Sequence, residues 1–108
     1  MVSVVIKRNK EGKLYSLRAS GHAEYAEKGF DIICAAVSVL TINTANSIEA
    51  LTDDEITSNM NYEEIILDFE LKTVSEKSSL LMESMLFGLK GIEEENEKYL
   101  SVKVEEEH

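Results

Sequence analysis

A run of residues without any charge, residues 32–48, constrains the fold of this chain more than any other feature. Its apolar residues recur every three or four positions, which predicts a helix from Asp31 to about Leu51. The two apolar faces consist of Ile33, Val37, Leu40, Thr44, Ile48 and Leu51, and of Ala36, Val39, Ile42 and Ala45. A helix this apolar around its circumference should be buried against a sheet on one side, which leaves the other side for a second subunit.

The same run is not expected to cross a membrane, because hydroxyl and amide side chains interrupt it. These are Ser38, Thr41, Asn43, Thr44, Asn46 and Ser47. The N-terminal residues lack the basic, apolar and small-residue order of a signal peptide. The single cysteine cannot form an internal disulfide, which suits a reducing compartment. We therefore expect a soluble, cytoplasmic protein without a membrane partner.

Two predicted hairpins flank this helix. The first strand is predicted from the alternation of Val2, Val4 and Ile6 with other residues, as in a strand with one buried face. A turn leads to a second predicted strand over residues 13–20, which has Tyr15, Leu17 and Ala19 on one face. Residues 55–62 and 64–71 form the second predicted hairpin. A capping box at residues 73–76 opens a second helix to about Tyr99, and residues 100–104 form a short last strand.

The predicted order is strand, strand, helix, strand, strand, helix, strand. It indicates an α+β fold with two layers, in which two helices cover one face of an antiparallel sheet of four to five strands. With 108 residues, 44% of them hydrophobic, the chain has the size and composition of one globular domain spanning residues 1–108.

The charge is strongly acidic and unevenly distributed. The net charge is −10, and residues 1–30 hold six Lys/Arg against three Asp/Glu while the remainder holds five against eighteen. An acidic body repels phosphate backbones, so direct nucleic-acid binding is not expected. The same sign permits attraction to a basic protein.

The chemistry is concentrated between Gly21 and Ser38. No period is visible in residues 21–30, which predicts a mobile loop bracketed by Gly21 and Gly29. Asp31 as N-cap would place Cys34 in the first helical turn, where unpaired amides and the helix dipole favour a thiolate. Those amides are also candidates for an oxyanion hole.

His22, on the strand side of the loop, is the candidate general base for the thiol of Cys34. Asp31 could affect the site in either of two ways. Its negative charge near the sulfur would disfavour the thiolate, or its carboxylate would cap the helix and so fix the loop–helix junction. Ser38 lies one turn after Cys34 and is a supporting candidate that orients His22, contacts the thiolate or bonds a helix carbonyl. The two histidines and one cysteine have no metal-ligand spacing, and no cofactor is indicated.

These residues together resemble a known signature. The chain resembles the ribosomal-processing cysteine protease (Prp) family in a set of residues: Gly21-His22-Ala23, Gly29, Asp31, Cys34-Ala35 and Ser38. The similarity extends over nearly the whole chain. The resemblance implies an endopeptidase that removes the N-terminal extension of a large-subunit ribosomal protein, L-twenty-seven. It implies Cys34 as nucleophile, His22 as base, a peptide substrate and a homodimer. It also implies that the loop between His22 and Cys34 orders over bound peptide, with Gly21 and Gly29 as its hinges.

Other readings of the residues remain open. A lone cysteine in a buried helix is commonly an inert small hydrophobe. The chain would then be a non-enzymatic, ribosome-associated or dimeric interaction protein. An accessible, activated thiol is also the requirement of a redox sensor.

Overall fold

The computed structural model describes residues 1–21, 28–61 and 65–107. The elements are β1 (Val2–Arg8), β2 (Leu14–Gly21), α1 (Lys28–Leu51), β3 (Ile56–Asn61), β4 (Ile65–Leu71), α2 (Glu76–Glu95) and β5 (Leu100–Glu106). The strands form one sheet in the order β3-β4-β2-β1-β5. The predicted α+β fold and its element order are confirmed.

The sheet is mixed, whereas an antiparallel one was predicted. β5 pairs with β1 in parallel, while β1–β2, β2–β4 and β3–β4 are antiparallel. The reason lies in the connections: a strand that follows one crossing helix runs in the direction of the strand before that helix. β5 therefore runs like β4, and β4 runs like β1 because both are antiparallel to β2. Placed beside β1, β5 can only be parallel to it.

Both helices cover the same face of the sheet. The core contains alternate residues of the strands together with buried residues of α1 and α2. Its largest fully buried side chains include Phe69, Ile6, Leu14, Leu17, Ile48, Met82, Met85 and Leu89. Between β1 and β2 the register shifts at Lys7/Arg8, so Arg8 faces Leu14 and Tyr15 is the extra residue. This bulge turns Leu14 into the core, where an unbroken strand would have placed Tyr15.

By length and mean hydropathy alone, the segment Asp31–Leu51 of α1 would qualify as a membrane-spanning helix, at 21 residues and 1.4. In the fold, one side of it is buried in the core through Ile33, Val37 and Ile48. Thr41 and Thr44 are also buried, and their hydroxyls donate to the carbonyls of the preceding turn. The apolar period seen in the sequence is therefore used for packing on the sheet.

The start of α2 is capped by Ser75, and the box predicted at residues 73–76 is wrong by two positions. The Ser75 side chain accepts a hydrogen bond from the Ser78 amide, and the Ser78 hydroxyl accepts one from the Ser75 amide. Thr73 instead donates to Asp54 in the α1–β3 connection. α2 ends at Glu95 rather than near Tyr99, because Asn96 leaves the helical conformation at φ −141° and its side chain donates to the Ile92 carbonyl.

Two glycines in α2 make a matched test of the packing between the helices. A Cβ added at Gly91 would meet nothing within 4 Å, whereas one added at Gly88 would lie 2.9 Å from Leu40 Cδ2 on α1. We expect Gly91→Ala to raise the free energy of unfolding by about 0.8–1 kcal/mol, because alanine is the better helix former. Gly88→Ala should raise the free energy of unfolding by less than Gly91→Ala does, since the Leu40 side chain has to move. Urea unfolding measures both, and equal stabilisation would show that Gly88 does not set the helix spacing.

Candidate active site

The position of Cys34 within α1 differs from the prediction. α1 begins at Lys28, so Gly29 lies inside the helix and Asp31 is an exposed residue of its first turn. The prediction of Asp31 as N-cap, and of Gly29 as a loop hinge, is wrong for this structure. Cys34 consequently belongs to the second turn. Residues 21–30 lack a periodic pattern, so the helix start could not be read from that segment.

This shift changes the electrostatics expected at the sulfur. Only the first four amides of a helix lack an intrahelical acceptor, and the amide of Cys34 is not among them. The dipole effect also falls off within the first turn. The amide of Cys34 is therefore not a free donor for a developing oxyanion, and a role for the first-turn amides stays a prediction.

Cys34 itself is a free thiol that is partly exposed. It is one of the half-buried residues that pack against the edge of the core. The residue is therefore not sealed inside the core, as a fully buried cysteine would be. That partial exposure is the property a nucleophile requires.

Ser38 supports the helix around Cys34. Its hydroxyl donates to the Cys34 carbonyl over 2.7 Å, a bond from one turn to the preceding one. Of the roles considered for Ser38, the structure shows this carbonyl bond.

His22 lies outside the described residues, as do the remaining residues of the segment 22–27. Gly21, the residue before His22, is the last residue of β2 and pairs with Val2. The chain from Gly21 to the start of α1 at Lys28 is the connection that contains His22. The pairing of His22 with Cys34 stays a prediction.

The structure also brings the acidic end of α2 to the end of the molecule where α1 starts, which the sequence did not reveal. Val2 pairs with both Gly21 and Leu100, so β2 ends where β5 begins. α1 starts after β2, and α2 finishes before β5, at this same end of the sheet. The exposed side chains of Glu94, Glu95 and Glu97 therefore lie at the end of the fold that carries Cys34. The charge run was visible in the sequence, but its location depends on the topology.

A cavity of about 550 Å³ lies at the opposite end, where α1 finishes and α2 starts, and is lined by residues such as Leu51, Asp54 and Lys77. It is therefore remote from Cys34. Among the residues the structure describes, no group of three His, Cys, Asp or Glu side chains could hold a metal ion.

Comparisons with known proteins identify the chain. The family model described as Cysteine protease Prp matches residues 1–101. A protein of Staphylococcus aureus (strain Mu50), the ribosomal processing cysteine protease Prp, is 34% identical over 98 residues, which cover 88% of this chain and 91% of the relative. A crystal structure of the S. aureus ribosomal processing protease Prp in complex with a substrate peptide superposes with a TM-score of 0.84 at 28% identity, covering 96% of this chain and 99% of that one. A second structure of that protease, with a covalently linked product peptide, gives a TM-score of 0.82 at 29% identity and the same coverage.

A two-layer domain with one accessible thiol, matched over nearly its whole length by thiol proteases, is a cysteine protease. This chain belongs to the Cysteine protease Prp family, and its curated relatives are ribosomal processing cysteine proteases. The resemblance stated from Gly21 to Ser38 is thereby confirmed, and the enzyme reading is favoured over the non-enzymatic and redox-sensor readings.

Proposed function

We propose that this protein is a cytoplasmic endopeptidase that removes the N-terminal extension of the large-subunit ribosomal protein L-twenty-seven. The observation that carries the proposal is the partly exposed free thiol of Cys34 on α1, at the end of the sheet where the connection containing His22 leaves β2. The relatives support the substrate class, because they are ribosomal processing proteases and one is bound to a substrate peptide.

The proposed reaction uses Cys34 and His22 as a pair. The imidazole of His22 takes the thiol proton, and the sulfur attacks the carbonyl carbon of the scissile peptide bond. The tetrahedral intermediate collapses as the imidazolium returns the proton to the leaving amine, which leaves a thioester on Cys34. A water molecule, deprotonated by the same imidazole, then attacks the thioester and releases the carboxylate product. The covalently linked product peptide of the S. aureus relative is consistent with such an intermediate.

The charge of the protein suits this substrate. A ribosomal protein that contacts RNA is basic, and this chain has a net charge of −10. The glutamates at the end of α2 lie at the Cys34 end of the fold. Attraction between opposite charges raises the rate of encounter, and the same acidic surface disfavours nucleic-acid binding.

Incubation with the precursor of L-twenty-seven, followed by mass spectrometry of the intact products, tests the proposal. We expect one new peptide that corresponds to the N-terminal extension, and a mature protein lighter by the same mass. A precursor already lacking the extension serves as the control and should remain unchanged. An uncleaved precursor after prolonged incubation would contradict the proposed substrate.

We further propose that the protein is a homodimer that associates through the outer face of its helices. Large apolar side chains are exposed there: Ile32 is 61% exposed, Val39 70%, Leu80 71% and Phe87 83%. Ile32 and Val39 lie two turns apart on α1, as do Leu80 and Phe87 on α2, so each pair shares one helix face. Exposed apolar side chains grouped on adjacent helices are typical of a surface that a partner covers.

Replacing Phe87 with aspartate should separate the subunits. A charge in place of the most exposed of these apolar side chains would have to be desolvated in the interface, so we expect the dimer dissociation constant to rise on the order of 10²-fold. Sedimentation velocity over a concentration series measures it. Ser3→Asp adds the same charge at an exposed position of β1 on the other face of the sheet and should leave the dimer intact. Equal association of both variants would exclude the helix face as the interface.

A further inference from the structure

β5 is an outer strand of the sheet: of the strands in the described part of the chain, β1 pairs with it on one side and none pairs with it on the other. The backbone groups of alternate residues in a strand point to the same edge, so an outer strand presents a row of free N–H and C=O groups. Such a row is a template for pairing with a strand of another molecule.

Two side chains of α2 occupy this edge at Val102. Glu93 Oε2 accepts a hydrogen bond from the Val102 amide over 2.6 Å, and Lys90 Nζ donates to the Val102 carbonyl over 3.0 Å. Lys90 and Glu93 also form an ion pair with each other at 3.2 Å. The two side chains therefore satisfy both backbone groups that an incoming strand would use at this residue.

The arrangement is held in its charged form. The hydrogen bond from the Val102 amide, followed by that from Lys90, holds the pKa of Glu93 below its usual value, although partial burial opposes this. The Glu93 side chain is 22% exposed and that of Lys90 47%, so Glu93 is the better enclosed of the two. Two residues before Val102, the Leu100 amide donates a hydrogen bond to the Asn96 carbonyl. This bond occupies the amide at the preceding outward-facing position of β5.

Beyond Val102 the edge is open. Val104 shares the outward orientation of Val102, and its backbone groups have no hydrogen-bond partner on that edge among the described residues. Three glutamates, Glu105, Glu106 and Glu107, follow directly and are exposed. A second copy of β5 approaching this edge would carry the same three glutamates.

We propose that Lys90 and Glu93 close the outer edge of β5 against edge-to-edge pairing with β5 of a second copy of this chain. The side chains cap Val102, the glutamates that follow repel a second acidic strand, and neither feature belongs to the helix face of the proposed dimer. The inference is independent of proteolysis, since it concerns which surfaces of the protein can associate.

The test compares two double variants of the full chain. The first variant combines Lys90→Ala with Glu93→Ala, which removes the two side chains that cap Val102. The control variant combines Lys77→Ala with Glu94→Ala, which removes the same residue types from exposed positions of the same helix. The two variants have the same net charge. In sedimentation velocity at raised ionic strength, which screens the glutamates, we expect the first variant to show concentration-dependent species of at least twice the parent's mass. The control variant should keep the mass of the parent.

Amide hydrogen exchange provides the second measurement. The Val102 amide should exchange at least about tenfold faster in the uncapped variant at low concentration, since its acceptor is gone, and should be protected again as association proceeds. Faster exchange at Val102 without any added association would overturn the proposal, and so would unchanged exchange. Should the double variant fail to fold, Lys90→Ala alone frees only the Val102 carbonyl. It should then give weaker association of the same kind, and none would overturn the proposal.

Discussion

Cys34→Ala is expected to abolish cleavage of the ribosomal precursor, lowering kcat/KM on the order of 10⁴-fold or more. The reason is that the reaction passes through a bond to the sulfur, for which a methyl group has no substitute. Cys34→Ser, which keeps the volume but offers a much weaker nucleophile, should be nearly as inactive. The measurement is the rate of appearance of the mature protein under single-turnover conditions.

His22→Ala should reduce the same rate by about 10²- to 10⁴-fold, since a general base contributes that much. Its effect should shrink as pH rises, because hydroxide can replace the base in removing the thiol proton. The fold should survive in both variants, as judged by circular dichroism and by unchanged self-association. Cleavage at the parent's rate by either variant would remove that residue from the catalytic pair.

Asp54→Ala is expected to lower the free energy of unfolding by about 2 kcal/mol, more than a typical surface substitution. Asp54 lies between α1 and β3, and its carboxylate joins that connection to the start of α2. Oδ1 accepts from the Thr73 hydroxyl at 3.0 Å, and Oδ2 accepts from the Ser75 amide at 3.2 Å and the Ser75 hydroxyl at 2.5 Å. Removal leaves these donors and the N-terminus of α2 without their carboxylate.

The contribution of Asp54 should depend on pH. Burial raises the pKa of Asp54, but hydrogen bonds from Ser75, Ser78 and Thr73 outweigh that effect and hold the pKa below the ordinary value of 3.8. A carboxyl whose pKa is lower in the folded state stabilises the fold above its unfolded pKa and loses that effect as pH falls through the folded pKa. The difference between parent and Asp54→Ala should therefore be full at neutral pH and shrink below about pH 4.

Urea unfolding at neutral pH and at several acidic pH values measures this difference. Asp53→Ala is the matched control: the same substitution at the neighbouring, exposed residue should change stability by no more than about 0.5 kcal/mol. A difference between parent and Asp54→Ala that stays constant down to acidic pH would show that the carboxylate charge does not carry the effect.

Much of the fold follows from local patterns. The alternation of Val2, Val4 and Ile6, and the helical period of residues 32–48, predict their elements because each element must bury one face. Element order, the two-layer class and the family could all be read from the sequence. The first residues of the helices were predicted less well, because several neighbouring residues are possible caps. Ser75 rather than Thr73 caps α2, and α1 starts three residues before Asp31.

Residue type and spacing alone establish the amphipathic elements of this protein and its one thiol. Three features are visible only in the folded chain: β5 runs parallel to β1, Cys34 lies partly exposed in the second turn of α1, and Lys90 and Glu93 reach Val102. All three depend on the choice of which elements become neighbours. That choice is made by burying the faces of α1, α2 and the sheet together, and no local stretch of sequence contains it.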